Sequence, residues 1–179
     1  KITVYIIEII NYIVKYQQNI GKQMIQPYYL NFIKESNKIE GIHREPTEAE
    51  INEFLRFLNL ETIQIKDLKK FVSIYAPGHV IRDKPNLNVI IGGKYAPPGS
   101  SYIKTKLQYI LNDLTLFNSY STHVQYELLH PFTDGNGRSG RMLWAWQMNK
   151  SHNGWDREAW STLGFLHCFY YQTLKNENS

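Results

Sequence analysis

Twelve consecutive residues constrain this chain more than any others: His130-Pro131-Phe132-Thr133-Asp134-Gly135-Asn136-Gly137-Arg138-Ser139-Gly140-Arg141. On either side the sequence is apolar at helical spacing, Val124-Gln125-Tyr126-Glu127-Leu128-Leu129 before it and Met142-Leu143-Trp144-Ala145-Trp146-Gln147-Met148 after it. The pattern predicts helices of about 121–129 and 137–149 around a loop, with glycines where the second helix begins. Gly135 and Gly137 open backbone conformations closed to other residues and let the chain come close to a ligand. The first amides of a helix lack intrahelical partners and lie at the positive end of its dipole, which makes an anion site. Arg138 and Arg141, three positions apart, fall on one helical face, where both guanidinium groups can reach the same polyphosphate. Asp134 at the loop end suits a magnesium ion bridging phosphate oxygens, and His130 can accept a proton from a hydroxyl near neutral pH. The loop needs no Ser or Cys nucleophile. The set therefore points to direct phosphoryl-type transfer, with positioning and charge stabilisation supplying most of the rate.

The run agrees at every specified position with the motif His-Pro-Phe-x-Asp-Gly-Asn-Gly-Arg-x-x-Arg, and on those residues the chain resembles the Fic (filamentation induced by cAMP) domain family. The resemblance implies a protein adenylyltransferase. Such an enzyme moves AMP from ATP to a Tyr, Thr or Ser hydroxyl of a target protein and releases diphosphate. By the same resemblance His130 is the catalytic base and Asp134 the magnesium ligand, with ATP and Mg2+ as substrate and cofactor. Gly135, Asn136, Gly137, Arg138, Ser139, Gly140 and Arg141 form the ATP-binding run, in which Arg138 and Arg141 hold the β- and γ-phosphates. Phe132 resembles the aromatic that anchors the loop in the core. Gly137 and Arg138 set the chain apart from relatives that phosphorylate or transfer phosphocholine, whose loops usually deviate there.

Far upstream, Ser36-Asn37-Lys38-Ile39-Glu40-Gly41 resembles the Ser/Thr-x-x-x-Glu-Gly/Asn motif of the family's built-in inhibitory helix. The resemblance implies that Glu40, with Ser36, pairs with Arg141 and keeps the ATP γ-phosphate from its productive place. A carboxylate is a good bidentate partner for a guanidinium that otherwise awaits phosphate. The bland alternative is a solvated glutamate at a helix end, with Gly41 as the C-terminal cap. Pro77-Gly78-His79-Val80-Ile81-Arg82, then Val89-Ile90-Ile91-Gly92-Gly93 and Ala96-Pro97-Pro98, resemble the family's β-hairpin flap, which pairs with the segment bearing the target hydroxyl. Ile90 and Ile91 are β-branched, and Gly92-Gly93 is a turn signal. Tyr170 and Tyr171 resemble a Tyr-Tyr-x-x-Leu stretch near the family's adenine pocket.

The expected fold is all-α, a Fic-type helical bundle with the active-site loop between two helices and a small β-hairpin flap. At 179 residues the chain reads as a single domain, 1–179, including the inhibitory helix at about 28–41. Helices are expected over Ile2 to Val14, Tyr28 to Ile39, from a capping box at Thr47 towards Leu60, Ile65 to Tyr75, Ser101 to Asn118, and Asp156 to Leu174. The net charge of +4 is spread along the chain without a basic cluster, which gives no case for nucleic acid. The first segment is too short to span a bilayer. A single Cys168 in an apolar stretch suggests a buried thiol in a reducing, cytoplasmic setting. His123 lies seven residues before His130, but nothing completes a tetrahedral zinc set, so it reads as structural. The chain begins without Met, which suggests a fragment of a longer protein. The expected partner is a target protein with an acceptor hydroxyl, with self-modification and a homodimer as further options. Two rival functions remain open: removal of AMP by the reverse reaction through Glu40, and a non-catalytic binding module on the same fold.

Overall fold

The computed structural model describes residues 26–91, 94–114 and 119–151. The helices expected over Ile2 to Val14 and Asp156 to Leu174 lie outside these residues, as do Gly92, Gly93, Cys168, Tyr170 and Tyr171. Within them the order is α1 (Pro27–Ile39), α2 (Glu48–Leu58), α3 (Ile65–Tyr75), β1 (Ile90–Ile91), β2 (Lys94–Tyr95), α4 (Ser101–Asn112), α5 (Ser119–Leu129) and α6 (Asn136–Ser151). The architecture is all-α apart from the two-residue strands, which pair antiparallel with Ile90 opposite Tyr95 and Ile91 opposite Lys94.

The α2 start follows the sequence signal. Thr47 Oγ1 accepts from the Glu50 amide, and the Glu50 carboxylate accepts in turn from the Thr47 amide at 2.7 Å. Helix α3 opens the same way, with Asp67 accepting from the Gln64 amide at 3.0 Å. Two helices are shorter than the sequence suggested. Helix α2 stops at Leu58, because Asn59 turns its side-chain amide onto the Leu55 carbonyl at 2.8 Å and competes with the next backbone bond. Helix α4 stops at Asn112 instead of Asn118; the Asp113 amide closes a tight turn on the Ile110 carbonyl. Leu114 still packs against the core from beyond that end.

Helix α6 is the central element and packs against α1, α2, α3 and α5. Its apolar residues Met142, Leu143, Ala145 and Trp146 meet Phe54 and Phe57 of α2, Leu68, Phe71 and Val72 of α3, and Tyr126 and Leu129 of α5 in one core. Helix α4 adds Ile103, Leu107, Ile110 and Leu111. The interior is rich in aromatics that interlock at defined angles. Phe71 stacks on Tyr75 with centroids 4.1 Å apart, and Phe57 meets Phe71 edge-on at 5.5 Å. Arg56 bridges Glu53 of its own helix and Asp67 of α3, which fixes the α2–α3 angle. The consequence for function is positional. The first turn of α6 is held from several sides, so whatever it presents to solvent is rigidly placed.

Candidate active site

The loop between α5 and α6 is held by backbone hydrogen bonds to the Val80–Arg82 stretch and by side chains that bond to its own backbone. His130 leaves α5 in the left-handed region (φ +49°), uncommon for a residue with a side chain. Phe132 is buried in the core, and its backbone pairs with the Val80–Arg82 stretch. The Arg82 amide donates to the Pro131 carbonyl at 2.8 Å and the Thr133 amide to the Val80 carbonyl at 2.9 Å. Gly135 has φ +79°, and a Cβ on it would come within 2.9 Å of Ala76 Cβ, so both the turn and the packing require glycine there.

Asn136, expected in the phosphate cradle, does a different job with its side chain. Its Oδ1 accepts from the Phe132 amide at 2.8 Å and its Nδ2 donates to the Phe132 carbonyl at 2.9 Å. This buried double bond staples the loop shut and leaves only the Asn136 backbone to face an anion. The Ser139 hydroxyl is buried and donates to the Gly135 carbonyl at 2.8 Å, so the Tyr126 hydroxyl, 2.7 Å away, donates to it. Gly140 lies against α5, where a Cβ would collide with the Glu127 carboxylate and the Tyr126 ring. Their contacts are thus with the α5–α6 packing.

The imidazole of His130 is half-buried, and its Nδ1 lies 3.2 Å from the Glu127 carbonyl. A carbonyl only accepts, so Nδ1 carries the proton and Nε2 holds the free lone pair. Burial pulls the His130 pKa below its ordinary value. The bond to Glu127 opposes this, the Arg82 charge adds to it, and Glu40 and Asp134 oppose it. The ring is therefore neutral at pH 7 and able to take a proton.

Asp134 is exposed. Its Oδ1 accepts from the Gly135 amide at 2.6 Å, and its Oδ2 lies 3.7 Å from His79 Nε2. Among the described residues there is no cluster of three His, Cys, Asp or Glu side chains that could hold a metal unaided. An exposed carboxylate beside a helix N-terminus nevertheless fits a hard cation that draws its other ligands from phosphate and water.

The two arginines go to different places. Arg138 donates through Nη1 to the Tyr75 carbonyl, at the C-terminal end of α3. Arg141 is buried and reaches α1, where Nε donates to Ser36 Oγ at 2.9 Å and Nη2 to the Ser36 carbonyl at 2.9 Å and to Glu40 Oε1 at 2.5 Å. Ser36 and Glu40 thus meet Arg141 as the resemblance implied. The capping reading of the same segment holds as well. Gly41 is left-handed at φ +73°, its amide donates to the Lys38 carbonyl, and the Ile42 amide donates to the Asn37 carbonyl. That double bond terminates α1 and sets Glu40 at its last turn. A carboxylate there opposes the helix dipole, and the Arg141 cation offsets it. The pair sits directly on the first turn of α6, since a Cβ on Gly137 would overlap Glu40 Oε1 and come within 2.9 Å of Arg141 Nη1.

In the hairpin Ile90 is exposed and Ile91 partly so, and among the described residues no strand pairs with the outer edge of β1. The sequence reading missed Arg82 as a site residue. It is completely buried and donates to the carbonyls of Leu87, Pro97, Leu129 and His130. No signal in the sequence marked it, because Arg82-Asp83-Lys84 reads as an ordinary run of charge.

A model of the Fic/DOC family matches residues 54–148, more than half the chain, from within α2 into α6 and including the whole loop. The segment bearing Ser36 and Glu40 lies before that match. Over 62 residues the chain is 39% identical to a probable protein adenylyltransferase of Aquifex aeolicus (strain VF5), covering 31% of this chain and 19% of that protein. It therefore spans about a fifth of that relative's length. No helix among the described residues is long and apolar enough to cross a membrane. With the loop complete from His130 to Arg141 at the start of a central helix, and with the family match running across it, this chain belongs to the Fic/DOC family.

Proposed function

We propose that this domain is a protein adenylyltransferase that transfers AMP from ATP to a Tyr, Thr or Ser hydroxyl of a target protein and is held in check by Glu40. The observation that carries the reading is the pairing of buried Arg141 with Glu40, on the same helical turn that follows His130 and its bare Nε2. A guanidinium set at a helix N-terminus awaits phosphate, and here a carboxylate occupies it first. In the reaction the target hydroxyl gives its proton to His130 Nε2 and its oxygen bonds to the α-phosphorus. The bond from that phosphorus to the bridging oxygen breaks, and diphosphate leaves with the electron pair. The early amides of α6 and Arg141 hold the anionic oxygens, and Asn136 keeps the loop in the shape that presents them. Asp134 would hold magnesium, which supplies charge neutralisation on the phosphates.

The similar protein from Aquifex aeolicus is named as a probable adenylyltransferase, which supports the donor and the reaction class. Removal of AMP is the second reading. The Glu40 side chain is 28% exposed, and a carboxylate with solvent access beside the site could orient a water. A binding module without catalysis is disfavoured by the intact base, carboxylate and arginines. The target, self-modification, homodimerisation and a cytoplasmic setting belong to the same proposal. Incubation with Mg2+ and ATP labelled at the α- or the γ-phosphate tests it. Label entering protein from the α-position alone supports AMP transfer, whereas label from the γ-position alone would point to phosphorylation instead.

A further inference from the structure

We propose that Arg82 is a positioning residue that locks the β-hairpin to the catalytic loop, so that hairpin and His130 move as one body; its consequence for catalysis rests on the transferase reading above. One guanidinium serves both segments. On the loop side Nε donates to the His130 carbonyl at 2.6 Å and Nη2 to the Leu129 carbonyl at 2.9 Å. On the hairpin side Nη1 donates to the Pro97 carbonyl at 2.7 Å and the Leu87 carbonyl at 3.2 Å. Leu87 precedes β1 and Pro97 follows β2, so these two acceptors bracket the hairpin. The Arg82 backbone repeats the link, since its amide donates to the Pro131 carbonyl at 2.8 Å and its carbonyl accepts from the Ser100 amide at 3.0 Å.

Packing alone does not account for an arginine here. The side chain is 0% exposed, and its acceptors among the described residues are four neutral carbonyls. Burying a cation among neutral groups is costly, and an apolar side chain of similar volume would fill the space more cheaply. What only a guanidinium offers is a rigid planar fork that donates in several directions at once. Its shortest bond falls on the carbonyl of His130, a residue held in left-handed backbone. A segment paired with the hairpin would therefore be placed relative to His130 largely through this one residue, side chain and backbone together. Misplacement by about 1 Å can cost on the order of a hundredfold in rate.

Arg82→Lys tests this, since an ammonium keeps the charge but cannot span both segments. The first measurement is amide hydrogen exchange, which needs no activity. Ala96 and Gly99 report the hairpin, Phe132 and Thr133 the loop. Both pairs should exchange about tenfold faster together, with α2 and α3 unchanged. The second is AMP transfer in a Glu40→Gly background. There kcat should fall roughly a hundredfold while the Kd for ATP stays within about twofold. Independent or unchanged exchange of the two pairs would overturn the proposal, as would transfer at the background rate when both are loosened. If Arg82→Lys does not fold, Asn88→Ala approaches from the hairpin side by removing the bond from the Gly99 amide. Exchange should then also quicken at Phe132 and Thr133, and a change confined to the hairpin would refute the link. Absence of transfer in the Glu40→Gly background would refute the transferase reading, and the exchange data would decide the link alone.

Discussion

Removing the Glu40 carboxylate should change how the site weighs ATP against ADP. In the resting structure Arg141 Nη2 meets Glu40 Oε1 at 2.5 Å, while Nε and Nη2 also donate to Ser36 at 2.9 Å. Glu40→Gly removes the first contact and leaves the other two, so Arg141 stays oriented and gains a vacant donor. A hydrogen bond to a charged group contributes about 1.5–3 kcal/mol. The Glu40 side chain is 28% exposed and that of Arg141 only 5%, so solvent screens one partner and the lower half of the range applies. A γ-phosphate taking the place of Glu40 should then gain about 1.5–2 kcal/mol, roughly a ten- to thirtyfold lower Kd for ATP. ADP, which lacks that phosphate, should gain little. Calorimetric titration of Mg-ATP and Mg-ADP into the parent, Glu40→Gly, Arg141→Ala and the double variant completes the cycle. The gain should vanish in the Arg141→Ala background. An equal gain for ADP, or one that survives without Arg141, would show that Glu40 acts by some other route.

Other consequences follow from individual side chains. His130→Ala should lower transfer by roughly a hundred- to ten-thousand-fold and leave the Kd for ATP nearly unchanged, measured by label incorporation beside calorimetry; near-parent transfer would remove His130 as the base. His123 is buried against Trp144, and burial first, then the Arg141 charge, push its pKa down to about 3. Its folded value lies below the ordinary 6.5, so its contribution is complete above pH 6.5 and is lost as pH falls towards 3. Between pH 7 and 4.5 the parent should therefore lose on the order of 2 kcal/mol more stability than His123→Gln in denaturant titrations; equal losses would contradict the assignment. Asn37 is fully buried in α1 and its side-chain amide has no hydrogen-bond partner among the described residues. Asn37→Leu should raise stability by about 1–3 kcal/mol and the Tm by several degrees, and a fall would mean that the amide has a partner in solution.

What was legible in the sequence was local or periodic. The Thr47 box, the apolar faces of α3 and α5, and the glycines of the 130–141 loop all act on neighbours within a few positions. The pairing of Glu40 with Arg141, 101 residues apart, was legible only through a motif resemblance, because charge alone does not say which cation a glutamate meets. Arg82 was invisible for a deeper reason. Its partners are backbone carbonyls, which every residue carries, so no pattern of side chains announces them. The side-chain role of Asn136 was hidden in the same way, since its partners are the backbone groups of Phe132. The ends of α2 and α4 depend on side-chain competition at Asn59 and on a tight turn at Asp113, which apolar periodicity does not register.

If this site transfers AMP and Glu40 restrains it, loss of the Glu40 carboxylate must raise AMP incorporation through His130. Intact-mass spectrometry of the chain and of added lysate proteins, after incubation with Mg-ATP, tests both parts together. The parent, Glu40→Gly, and Glu40→Gly with His130→Ala should be compared at equal concentration. Little AMP should appear on any protein with the parent, a clear gain of AMP adducts with Glu40→Gly, and no such gain when His130 is also removed. Equal or lower incorporation by Glu40→Gly, or adducts that persist without His130, would contradict this reading.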